Sequence, residues 1–210
     1  MRTIATFLLA LALTATSAEN YQTAMKLAIE AFQTSKSIED FTDVANTFQR
    51  ISKAEKEEWL PLYYHAQSFI MMSFMSSEGA DQKDAYLDVA QISIDAMLSL
   101  NSEESEIYTL QSLLYTARLV VDPMNRGQQM MAKSGEAIGK ALGLNPMNPR
   151  AQYMLLSNEV GMAQFFGKDV TEYCDRINNL YQNWDSMNQV AELYPTWGKG
   201  EVEKLKKNCI

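Results

Sequence analysis

Apolar side chains recur three and four positions apart along nearly the whole chain, and no stretch alternates in the two-residue rhythm of a half-buried strand. Tyr21, Met25, Ala28, Ile29 and Phe32 place one apolar stripe on a helix over residues 20–34. Ser37 then reads as an N-cap, with Asp40 completing a capping box, for a second helix whose stripe is Ile38, Phe41, Val44, Phe48 and Ile51. A third helix runs from Trp59 to about Met75 and tolerates Pro61 because the missing N–H falls in the first turn. Further helices are predicted over residues 82–100, 103–121, 126–144, 149–166 and 169 to about 192, with Pro123 stopping the fifth. Pro195 to Gly200 reads as a turn before a short terminal helix ending near Cys209.

Two of these helices end in matching phrases, Leu98-Ser99-Leu100-Asn101-Ser102 and Leu142-Gly143-Leu144-Asn145-Pro146. Aligning them sets Ile94 on Ile138 and Met97 on Ala141, which marks a repeated helix-turn-helix unit. Such a unit cannot bury its apolar face alone and is stabilised by stacking on its neighbours. Gly135 and Gly139, four apart, suggest close packing of one repeat on the next.

Residues 1–18 read differently. Arg2 supplies a positive start, residues 3–14 hold no charge, and Thr16-Ser17-Ala18 precedes the first acid, Glu19. This is the pattern of a cleaved secretory signal, and the apolar run is shorter than the roughly 20 residues that span a bilayer. One mature domain over residues 19–210 is expected, periplasmic or secreted, without insertion into a membrane. The full chain carries a formal charge of −8, and the first eighteen residues hold one Arg and no acid, so the mature part would carry −9. Such a surface repels nucleic acid and anionic lipid.

The second helix of the repeated unit, with Ala90 or Ser134, Ile94 or Ile138 and Met97 or Ala141, resembles that of a tetratricopeptide repeat. Trp59, Leu62 and Tyr63 similarly resemble its first helix, although Tyr63 and Ser112 stand where the consensus has Gly. Roughly ten residues beyond the usual period separate the two phrases. The segments Phe48-Gln49-Arg50-Ile51, 58–64, 145–151 and Pro195-Thr196-Trp197-Gly198 are similar to a group of exported tetratricopeptide-like proteins of Gram-negative bacteria. The resemblance implies an all-α, α-α superhelix of right-handed helical hairpins with a C-terminal capping helix. It also implies a concave groove lined by first helices, here Tyr64, Gln67, Glu106, Thr109, Arg150, Tyr153 and Ser157. That groove suits a protein or peptide partner, so a protein-binding scaffold without catalysis is the first expectation. The alternative is a periplasmic small-ligand or metal-handling protein, which requires an enclosed pocket.

Candidate chemistry is sparse. Cys174 and Cys209 are the two cysteines, an even count in a chain predicted to be exported, which favours a disulfide pinning the terminal helix over free thiols or a redox pair. His65 is the sole histidine; a Cys174–His65 nucleophile pair has no supporting flanks, and one imidazole makes a zinc site improbable. Asp81, Asp84, Asp88 and Asp95 share a helix face expected to be solvated. Met71, Met72 and Met75 invite a thioether copper site but read better as core filler. No cofactor, metal or catalytic residue is expected.

Overall fold

The computed structural model describes the backbone of residues 3–188 and 191–209, and side chains from residue 19 onward within those ranges, that of residue 208 excepted. The expected signal, residues 1–18, lies outside the described side chains. Among the described residues the chain is helical without strands: α1 (Thr3–Thr34), α2 (Ile38–Ala54), α3 (Leu60–Met75), α4 (Ala80–Leu100), α5 (Ser105–Val121), α6 (Pro123–Leu144), α7 (Pro149–Phe165), α8 (Cys174–Met187) and α9 (Lys199–Lys206). Among the described residues no helix is long and apolar enough to cross a membrane.

Each helix packs on the next, and the odd-numbered helices α1, α3, α5, α7 and α9 also touch in series. The odd helices thus form an inner row and the even ones back it, the arrangement of an all-α superhelix. The local signals explain the boundaries. Ser37 Oγ accepts from Asp40 N at 3.1 Å while Asp40 Oδ2 accepts from Ser37 N at 3.0 Å, closing the capping box. The repeated phrases end their helices alike: Asn101 N donates to Met97 O and Asn145 N to Ala141 O, at 2.8 and 2.9 Å. Each Asn then accepts with Oδ1 from the backbone N–H two residues on. Ile94, Ile138, Met97 and Ala141 are all buried.

Three expectations are corrected. Pro123 opens α6 instead of only stopping α5, because Asp122 Oδ1 accepts from Asn125 N and Pro at the first position gives up no helical hydrogen bond. The eighth helix ends at Met187 rather than near 192, and the chain turns back across the inner row. Gly135 and Gly139 are exposed, and a Cβ at either would meet nothing within 4 Å, so no neighbouring repeat approaches there.

The apolar core is in two parts. The larger runs through α1 to α5 around Phe48, Tyr63, Ile70, Leu87 and Leu110, with Leu193 seated on it. The smaller joins α7, α8 and α9 through Leu156, Val160, Ile177, Leu180, Trp184 and Val202. Cys174 and Cys209 are joined by a disulfide that ties the start of α8 to the chain end beyond α9. This fits an exported protein.

Candidate functional site: a filled inner face and an open cleft

The seven side chains expected to line a groove are gathered on the inner row. Tyr64, Gln67, Glu106, Thr109 and Arg150 are buried, and Tyr153 and Ser157 are half-buried. Their cover is the chain itself, because residues 191–198 lie across α1, α3, α5 and α7. Lys26 pairs with Glu192 at 2.8 Å, and Tyr64 Oη donates to Leu193 O at 3.0 Å. Tyr194 Oη donates to Glu104 Oε2 at 3.0 Å, and Trp197 Nε1 donates to Tyr63 Oη at 2.8 Å. Trp59 meets Tyr194 edge-on, and Tyr153 meets Trp197 in the same way. Gly198 closes the crossing at φ 114°, with the Trp184 ring in the space a Cβ would take, so only glycine fits there.

Beneath the strap lies a buried ion pair. Arg150 Nε and Nη2 donate to the two oxygens of Glu106 at 2.9 and 2.8 Å, and Nη1 donates to Asn188 Oδ1 at 2.6 Å. Burial raises the Glu106 carboxyl against the pull of Arg150, and burial works against the Arg150 charge while Glu106 holds its pKa raised. The bidentate geometry keeps both ionised at neutral pH. Burial lifts Tyr63 well above the ordinary phenol range and, with Glu104, pushes Tyr194 up to about 12. The inner face is therefore a structural polar seam.

The other candidates separate. His65 is 7% exposed, with Nδ1 2.8 Å from Ser93 Oγ, and burial with Lys53 nearby lowers its pKa to about 4. The Cys174 sulfur is committed to the disulfide, so no thiol remains to pair with His65. Met72 is buried in the core while Met75 is exposed, so the three methionines do not converge. The acidic face of α4 is partly engaged: Asp84 contacts Arg126 at 2.7 Å and Arg118 at 3.5 Å, and Asp88 contacts Arg118 at 2.7 Å. Among the described residues no group of three or more His, Cys, Asp or Glu side chains is placed to hold a metal.

What stays open is a cleft of about 530 Å³ between α6, α7 and α8. Leu142 and Pro146, from the second repeated phrase, form one wall. Leu155 and Leu156 form the floor, and Asp175, Arg176 and Asn179 on the first turns of α8 form the far rim. Gln152 reaches into it with Nε2 donating to Pro146 O at 2.7 Å. Arg176 is the sole cation of the lining; its Nη1 stands 2.7 Å from Glu159 Oε2 without the alignment of a hydrogen bond. A second cleft of about 360 Å³ lies between α1 and α2, walled by Ala24, Leu27, Ala31 and Ile51 with Arg50 at its side. Sequence reasoning missed the larger cleft; its one legible trace was the consecutive pair Leu155-Leu156, of which a single helix face can bury only one toward the core.

The fold is a helical array with a cleft of ligand size whose lining is half apolar and half polar, and which is open instead of the enclosed pocket expected for the small-ligand alternative. Among solved structures the chain is similar to the HusA haemophore from Porphyromonas gingivalis, at 26% identity over 90% of this chain and 92% of that one, with a TM-score of 0.76. No protein-family model matches the chain, and no curated protein matches it. The likeness to a haemophore overturns the expectation of a protein-binding scaffold and favours the small-ligand alternative. The physical reason lies on the inner face, where the chain's own residues 191–198 take the place a partner would need.

Proposed function

We propose that this chain is an exported haem-binding carrier that holds haem or a closely related porphyrin in the cleft between α6, α7 and α8 and catalyses no reaction. The likeness to a haemophore across nearly the whole of both chains is the observation that carries this reading. The cleft fits the cargo: haem is a flat apolar disc with two carboxylates on one edge, and about 530 Å³ walled by Leu142, Pro146, Leu155 and Leu156 lies within the usual range for ligand pockets. The lining holds no His, Cys, Met or Tyr, the side chains that serve as axial ligands to haem iron, and His65 is spent inside the fold. Retention therefore rests on contact with the macrocycle. Residues 1–18 direct export and are then removed, and the disulfide suits the oxidising compartment reached.

Titrating residues 19–210 with haemin, followed by the Soret absorbance and by gel filtration, tests the proposal. A saturating shift at one equivalent, with haem co-eluting with the protein, is expected. Loss of all haem on the column, with no saturable shift, overturns it.

A further inference from the structure

The rim of the cleft is electrically lopsided, and this narrows what it can hold. Its floor is leucine, whereas its α8 edge carries Arg176 with Asn179 one turn on. Arg176 is about half exposed, at 48% of its side chain, and Glu159 beneath it is at 32%. The two stand 2.7 Å apart through Arg176 Nη1, and among the described residues no acceptor is hydrogen-bonded to the other donors of the planar fork. The half-exposed guanidinium thus keeps donors on its solvent side that can receive a carboxylate in the bidentate geometry its planar fork favours. Its position is doubly fixed, because Cys174, two residues earlier, is held by the disulfide and Ile177, one residue later, is buried in the smaller core.

We propose that Arg176 anchors a carboxylate on the edge of the bound ligand, with Asn179 as the adjacent donor and Glu159 as the residue that positions the guanidinium. The ligand class is thus a planar apolar acid inserted ring-first, its carboxylate edge at the α8 rim. Asp175 on the same rim repels any acid placed on its side of Arg176, which fixes the orientation. This inference rests on the haem-carrier reading and specifies which group of the cargo is recognised and by which residue.

The test compares protoporphyrin IX with its dimethyl ester, the same iron-free ring with and without the carboxylates, by fluorescence titration of residues 19–210. The parent protein should bind the diacid about fivefold more tightly than the diester, the size expected of a half-exposed charge pair. Arg176→Gln should bring the ratio close to one by weakening the diacid alone, Arg176→Lys should keep part of the preference, and Arg50→Gln, in the other cleft, should leave it unchanged. Raising salt should weaken diacid binding and spare the diester. Equal binding of diacid and diester by the parent protein, or equal weakening of both by Arg176→Gln, overturns the role of Arg176 while the carrier reading stands. Failure of both porphyrins to bind overturns the carrier reading and this inference together.

Discussion

Arg150→Ala should be the most damaging single truncation on the inner row. Arg150 is fully buried and supplies two donors to Glu106 and one to Asn188. Removing it strands a carboxylate near Tyr63, Tyr64 and Asn148 without the cation that pairs it, and leaves Asn188 without its link to α7. Breaking one side of a buried ion pair costs about 3–5 kcal/mol. For a domain of this size that lowers the melting temperature by roughly 10 °C. Because the stranded Glu106 titrates higher still, the loss should shrink below its raised pKa, where it is neutral. Replacing both partners, as Arg150→Met with Glu106→Gln, should recover most of the loss, since no charge is left buried alone. Urea unfolding followed by the fluorescence of Trp197, within the strap, and Trp184, packed against Gly198, reads these differences. A loss of less than about 1 kcal/mol for Arg150→Ala, or a double variant worse than the single one, would refute the reasoning.

Other consequences are separable. His65 is held near pKa 4, below its ordinary 6.5, so its contribution is fully present above pH 6.5 and is lost as pH falls toward 4, about 3 kcal/mol in all; His65→Gln should flatten that part of the pH–stability curve, and an unchanged slope would count against a neutral buried imidazole. Gly135→Ala and Gly139→Ala should each stabilise by about 0.5–1 kcal/mol through helix propensity, with open space for the methyl; a lower melting temperature would mean that something packs there. Cys174→Ser with Cys209→Ser should cost about 3–4 kcal/mol on the loop-entropy estimate and loosen α8 against α9, which hydrogen exchange at the start of α8 would register; unaltered exchange would refute it.

The helices and their pairing were legible because each carries its own signal. The Ser37–Asp40 box, the two Asn-terminated phrases and the 3.6-residue stripes act within one or two turns and need no knowledge of the rest of the chain. Of the residues expected to line a groove, Glu106 and Arg150 meet as an ion pair, and five of the seven are buried instead of exposed. Exposure there depends on a segment far away in sequence: Leu193 lies under Tyr64, and Trp197 between Tyr63 and Tyr153. The end of α8 at Met187 was hidden as well, since no proline or glycine lies between Met187 and Pro195 to mark it. Beyond the pair Leu155-Leu156 the cleft was illegible because its lining comes from α6, the turn after it, α7 and α8, and no single-helix pattern encodes their meeting.

The location of the cargo is tested most directly by hydrogen–deuterium exchange of residues 19–210 with and without protoporphyrin IX. Binding in the proposed cleft should slow exchange in residues 142–156 and 175–179 and leave α1 and α2 unchanged. Protection centred on residues 24–51, around the smaller cleft, would contradict it.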